Sequence, residues 1–431
     1  MSCTKRFPLA KARLEEIVKM YPTPFYLYDE RGIVENAARF KKAFSALPSF
    51  KEHFAVKALP NPVILKILAR EGFGADCSSL PELLLAGMAG ITGEDIMFTS
   101  NETPIAEYRK ALELGAVINL DDFTHIEFLE KFARIPELVS CRYNPGGRKT
   151  GNAIIGKPTE AKYGFTREQI LEGFRLLKQK GAKRFALHTM VASNELNVEY
   201  HIETARLLFD LAVESLEKTG VRLEFVNLGG GVGIPYLPEQ TAVDYEALAS
   251  GVKAAYDAII VPAGLDPLGV HTEWGRAITG PYGWLVSRAV HRKSIYREYI
   301  ALDSCMADLM RPALYGAYHH ITVAGKEDAP LTETYDVVGS LCENNDKFAV
   351  QRKLPRIETV NDGGIDAGSA GDLVVIHDAG AHGRAMGFNY NGKLRCGELL
   401  LRPDGSILQI RRRETIEDYF ATLAMEAMDA L

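Results

Sequence analysis

The chain predicts an α/β protein, a (β/α)8 barrel of the TIM type joined to a second, mainly β domain. Two observations predict it. From about residue 51 a unit recurs: a short apolar or β-branched run, a Gly, Ser or Asp turn, then a longer segment with helical apolar spacing. Eight such units follow one another, the number that a closed barrel of this kind needs. After roughly residue 285 the helical segments thin out and strand-like runs succeed each other, as in a sheet domain. The boundaries drawn on this basis are 30–285 for the barrel and 1–29 with 286–431 for the β domain. Periodicity leaves a doubly wound open sheet as the alternative to the barrel.

The eight runs are HFAVK, GFGADCSS, IMFTS, AVINLDD, VSCRYNP, FALHT, LEFVNLGGG and LGVHTEWGR. Amphipathic segments such as NPVILKILAREG, PELLLAGMAG and TPIAEYRKALELG separate them. Pro81 with Glu82 signals a helix start and Gly90 a stop. Residues 144–165 form a Gly-rich stretch with Arg148, Lys149, Lys157 and Lys162, too long for an ordinary connection. It reads equally as a surface loop or as an active-site lid. Beyond residue 285 the strand-like runs are REYIALDS, HITVAG, TYDVVGSLC, DLVVIHDAG and ELLLRPDGSILQIRRR. Pro403-Asp404-Gly405-Ser406 marks a hairpin, and IEDYFATLAMEAMDAL a closing amphipathic helix.

At 431 residues, 47% hydrophobic and 25% charged, the chain has the make-up of a soluble globular protein. It carries no uncharged apolar stretch of membrane-spanning length and no apolar leader, so a cytoplasmic address is expected. Six cysteines without metal-ligand spacing are expected to be free thiols, and no metal site is predicted. A net charge of −6, with no basic run interleaved with aromatics, argues against nucleic acid. Small molecules or a second copy of the chain are the expected partners.

Lys57 closes the apolar run Phe54-Ala55-Val56 where a strand stops and a turn begins. A lysine there can lay its stem on apolar wall while its head stands in a pocket, where desolvation favours the nucleophilic amine. In the barrel count His188 ends strand six, Gly229-Gly230-Gly231 follow strand seven, and Glu273 to Arg276 end strand eight. All then meet on one rim. Loops after the last two strands of such barrels commonly bind phosphate, because glycines let backbone N–H groups approach an anion. Gly229-Gly230-Gly231 and Gly275-Arg276 fit that role. A phosphate pocket opposite a strand-end lysine points to pyridoxal 5'-phosphate, with Glu273 as partner of the pyridine nitrogen and His188 over one ring face.

FAVKALPNPVILKILAREGFGAD, NLGGGVGIPY, EWGR, DSCMADLMRPALYGAYHH, VVGSLCENNDKF and GDLVVIHDAGAHGRAMGFNYNG together resemble the motifs of the fold-type III pyridoxal phosphate decarboxylases. Within them the similarity is to the diaminopimelate decarboxylases and covers nearly the whole chain. It implies an alanine-racemase-like fold, decarboxylation of meso-2,6-diaminopimelate to L-lysine, and a homodimer. By this resemblance Lys57 holds the cofactor covalently, Glu273 faces the pyridine nitrogen, His188 stacks on the ring, and Arg276, Arg311 and Tyr315 take the far substrate carboxylate. Cys342 reaches the cofactor of the opposite subunit and returns a proton to the α carbon, and Glu343 faces the far end of the substrate.

The chain departs from the family pattern at three places. His382 stands where a tyrosine near the phosphate is usual, His188-Thr189-Met190-Val191 replaces His-x-Gly-Ser, and Trp274 replaces the common proline of Glu-Pro-Gly-Arg. The alternatives are a decarboxylase of ornithine, arginine or a carboxylated polyamine, a racemase on the same fold, and, from another class, a non-catalytic pyridoxal phosphate carrier.

Overall fold

A computed structural model of the chain describes residues 5–151, 156–360, 371–425 and 427. Residues 152–155 of the Gly-rich stretch, Cys3 and the last residues of the closing helix lie outside them. Two compact units emerge. One holds Ile33–Pro235 and Thr241–Thr279; the other holds the described residues up to Gly32, Tyr236–Gln240 and those from Gly280 onward.

In chain order, β1 (Phe25–Asp29) precedes β2 (Lys51–Ala55), β3 (Gly74–Cys77), β4 (Ile96–Thr99), β5 (Val117–Leu120), β6 (Leu138–Tyr143), β7 (Arg184–Thr189), β8 (Phe225–Asn227) and β9 (Gly269–Thr272). Strands β2 to β9 form a closed barrel, with β9 pairing back onto β2 in parallel. Closure removes the open sheet from consideration. Local signals place the intervening helices. Asn61 caps Pro62–Arg70 by accepting the Val63 N–H at 3.0 Å, and Pro62 needs no partner at the first turn. Ile105–Leu114 ends on Gly115, whose φ of 71° suits glycine.

The barrel interior changes character along its axis. Met97, Val117, Leu138, Ala186 and Phe225 form one apolar cluster. Side chains two residues apart on a strand share a face, so the next layer toward the strand ends carries Thr99, Asn119, Ser140, His188 and Asn227, all buried. A polar layer above an apolar floor puts chemistry at the C-terminal rim.

The second unit contains β1 with β10 (Gly283–Ser294), β11 (Glu298–Leu302), β12 (Ile321–Val323), β13 (Glu333–Val338), β14 (Lys347–Leu354), β15 (Leu373–Ile376), β16 (Gly397–Leu401) and β17 (Ile407–Arg411). The order is β14-β13-β11-β10-β1-β16-β17, with β15 on β10 and β12 on β15. Alternate residues of β1, Phe25 and Leu27, pack with Trp284, Val286, Leu373, Val375, Leu399 and Leu401, and helix Lys11–Met20 adds Leu14 and Ile17. The predicted hairpin joins β16 to β17. The closing helix is shorter than its pattern suggests. It spans Ile416–Phe420 and buries none of its residues, so nothing extends it by packing.

Candidate active site

Lys57 lies in the single turn Val56–Ala58 directly after β2. The sequence predicts a desolvated amine, and the structure corrects this: the side chain is 51% exposed, and its Nζ stands 3.8 Å from Oδ2 of Asp76, which is 2% exposed. The desolvated member of the pair is the acid. Burial, reinforced by the like charge of Glu273, raises the Asp76 carboxyl well above its usual range, while Lys57 and Arg142 pull the other way.

A cavity of about 300 Å³ joins Lys57 and Asp76 to Arg142, Tyr163, His188, Ser193 and Glu273. His188 Nε2 is 2.8 Å from Glu273 Oε2, and Asn227 Nδ2 donates to Glu273 Oε1 at 2.8 Å. Burial works against a charge on Glu273, yet His188, Lys57 and His53 outweigh it and hold the carboxyl below its usual range. Burial also lowers the His188 imidazole, against the pull of Glu273. The pair is therefore a neutral imidazole donating from Nε2 to a carboxylate. Arg142, on β6, pairs with Asp121 at 3.3 Å and stacks its guanidinium 3.8 Å from the centre of the Tyr163 ring.

The glycine loop adjoins this cluster through Asn227, whose Oδ1 accepts the Gly229 N–H at 2.9 Å. A Cβ would meet the Thr189 carbonyl oxygen at 2.0 Å on Gly229, that of Glu273 at 2.5 Å on Gly230, and that of Ala192 at 2.6 Å on Gly231. Three successive residues thus present backbone alone. Gly275 packs against Ala58, where a Cβ would stand 2.6 Å from that side chain. Arg276 is buried, with Nη2 3.5 Å from Ser193 Oγ.

The other predicted residues lie in the second unit. Arg311 opens the short helix Arg311–Tyr315, is buried, and places Nη1 2.6 Å from the Tyr236 hydroxyl and 3.3 Å from His319 Nε2. Tyr315 at the end of that helix is exposed. Cys342 is the exposed thiol among the described cysteines; Cys77, Cys141, Cys305 and Cys396 are buried. Its N–H donates to Asn391 Oδ1 at 2.8 Å, and Glu343 Oε1 accepts the Asn345 N–H at 3.0 Å. His382 has a φ of 54°.

Sequence reasoning passed over Asp76, Arg142, Tyr163 and Ser193. The signal existed for two of them. Asp76 and Arg142 are charged residues inside apolar runs, GFGADCSS and VSCRYNP, just as Lys57 is in its own. Ser193 stands five residues after His188, outside the strand run that ends there.

The donor set fits pyridoxal phosphate. It offers an amine beside an acid, an anionic carboxylate, a side-chain-free rim, and buried atoms awaiting a polar partner: Asp76 Oδ1, His188 Nδ1 and Arg142 Nε have none among the described residues. Residues 31–280 match the family described as pyridoxal-dependent decarboxylase, pyridoxal binding domain. The chain belongs to the pyridoxal-dependent decarboxylases. Pyridoxal phosphate is the cofactor of this decarboxylase. It is 42% identical over 423 residues to Protein TabA of Pseudomonas amygdali pv. tabaci, covering 98% of this chain and 95% of that one. It is 34% identical over 406 residues to the diaminopimelate decarboxylase of Methanothermobacter thermautotrophicus, covering 94% and 92%. Among solved structures the decarboxylase resembles diaminopimelate decarboxylase from Helicobacter pylori complexed with L-lysine, with a TM-score of 0.84, 30% identity, and 97% and 100% of the two chains covered. No helix of the described residues is long and apolar enough to cross a membrane.

Proposed function

We propose that this decarboxylase converts meso-2,6-diaminopimelate to L-lysine and carbon dioxide, as a homodimer whose sites are shared. The observation that carries the substrate assignment is Arg311, a buried guanidinium oriented by Tyr236 and His319. A guanidinium fixed in this way selects a carboxylate, which it binds bidentately, and so favours a substrate with a carboxylate at its far end. Glu343 suits the amine beside that carboxylate, and Arg276 and Tyr315 complete the set.

When bound, pyridoxal phosphate supplies a ring that takes up the electron pair released as carbon dioxide departs. Lys57 tethers it through Nζ. Asp76, whose carboxyl burial raises well above its usual range, stands 3.8 Å from that amine. Glu273, held by His188 and Asn227, would partner the pyridine nitrogen, and His188 would pack against the cofactor. Gly229, Gly230, Gly231, Gly275 and Arg276 hold the phosphate, joined by His382 in place of the family's tyrosine. Cys342 of the second subunit returns a proton to the substrate α carbon; its exposure leaves it open to a partner chain.

The 42% identity to Protein TabA, above the 34% to the diaminopimelate decarboxylase, leaves room for a second reading, and Arg311 then favours another amino acid with a far-end carboxylate. Incubation of the purified holoenzyme with meso-diaminopimelate, followed by carbon dioxide measurement and chiral analysis, separates the two. L-lysine released faster than any product from ornithine or arginine is the expected result. Carbon dioxide from ornithine or arginine but none from meso-diaminopimelate would overturn both.

A further inference from the structure

Glu52 is buried on β2, in register with Thr272 of β9. It is absent from the lining of the Lys57 cavity. Its Oε1 accepts the Trp274 N–H at 2.6 Å, and its Oε2 makes a short hydrogen bond with Thr272 Oγ1. These two contacts fall on the residues immediately before and after Glu273, the carboxylate held by His188 and Asn227.

The identity of residue 274 explains why such a contact is needed. Trp274 brings an amide N–H into a buried place, with its ring 4.4 Å from Phe40, 5.5 Å from Phe44 and 5.7 Å from Tyr245, centroid to centroid. Apolar rings offer that N–H no acceptor, and a buried donor left unpaired is costly. Glu52 supplies the acceptor. Burial pushes its carboxyl well above the usual range, against the Thr272 and Trp274 hydrogen bonds, with Glu273 and Asp76 adding to the rise. Thr272 Oγ1 donates to one carboxyl oxygen and the Trp274 N–H to the other, so Glu52 accepts from both residues that flank Glu273.

We propose that Glu52 is a positioning residue that fixes Glu273 by accepting from the Thr272 hydroxyl before it and from the Trp274 backbone N–H after it. The proposal rests on the cofactor role given to Glu273 above.

The test uses the full chain loaded with pyridoxal phosphate. It reads the His188 side-chain nitrogen resonances by 15N NMR and the cofactor dissociation constant. Glu52→Gln keeps the shape of the side chain and an oxygen that accepts from the Trp274 N–H, and both readouts are expected to stay within about twofold of the parent. Glu52→Leu is expected to shift the His188 Nε2 resonance and raise the dissociation constant at least about fivefold; if that protein does not fold, Glu52→Thr, too short to reach Trp274, takes its place. Made in a Trp274→Pro background, which lacks the N–H but keeps Thr272, the same change is expected to alter both readouts less than it does in the parent. A Glu52→Leu protein indistinguishable from the parent, an equal disturbance in the proline background, or a loss with Glu52→Gln each overturns the proposal. Glu273→Gln separates the premise: unchanged cofactor affinity there removes the role of Glu273, while the His188 resonance still decides that of Glu52.

Discussion

Lys57 illustrates how a side chain acquires chemistry from what faces it rather than from burial alone. Half-exposed, it keeps access to an incoming aldehyde or substrate amine, and Asp76 provides the buried acid beside it. Replacing Lys57 with Ala removes the amine from the cavity lining. The purified protein saturated with pyridoxal phosphate is expected to lose its visible absorbance, and decarboxylation to fall by about a thousandfold or more. An unaltered spectrum would rule out this lysine as the tether. Legibility at this scale depended on contrast. A lysine, histidine or glutamate at the end of an apolar strand stands out in sequence, and Lys57, His188 and Glu273 line one cavity. The exposure of Lys57 was not legible, because it depends on which faces of the turn Val56–Ala58 point outward, and sequence spacing is silent on that. The Glu52 contact to Trp274 joins residues 222 apart in sequence, beyond any local pattern.

At the scale of elements, the glycine loop after β8 is a tightly constrained connection of the barrel unit. Gly229 has a φ of 69°, and its surroundings leave a Cβ no room beside the Thr189 carbonyl. An alanine there meets a left-handed backbone, which costs about 1–2 kcal/mol, and a fixed carbonyl oxygen besides. The loop must shift, taking with it the Glu273 N–H bond to the Gly229 carbonyl, 2.9 Å long, and the Asn227 contact. Gly229→Ala is expected to weaken pyridoxal phosphate binding at least about tenfold, equivalent to about 1.4 kcal/mol, with the far-ultraviolet circular dichroism intact. Gly264→Ala is the matched control, because its φ of 68° is similar while nothing lies within 4 Å; it should bind cofactor like the parent. Cofactor affinity equal in the two variants would show that the close approach at Gly229 has no part in binding.

The eight barrel runs were legible because each is a short apolar burst bounded by turns. Strands β1, β10 and β14 were not. FYLYD in β1 pairs with Leu285 and Glu398, far along the chain, and the second half of β10 and the middle of β14 are exposed and charged, without alternation that would mark them. The closing helix spans Ile416–Phe420 although its amphipathic spacing continues, and none of those residues is buried.

For the whole molecule, the units divide after Gly32 and Thr279, and the assignment of Tyr236–Gln240 to the second unit has no sequence signal. Tyr236 nonetheless matters there, since its hydroxyl orients Arg311. The shared site is the corresponding claim about assembly, and it has a quantitative consequence. If each site takes Lys57 from one subunit and Cys342 from the other, Lys57→Ala and Cys342→Ala homodimers are both crippled. A mixed dimer then contains one site lacking both groups and one site with both intact. Random reassociation of equal amounts makes half the dimers mixed, each with one working site of two, so about a quarter of the parent activity should return. Mixing after mild dissociation and assaying carbon dioxide release measures this. If Cys342 instead serves the site of its own chain, each site of the mixed dimer keeps one defect and the mixture stays at the level of the two parents.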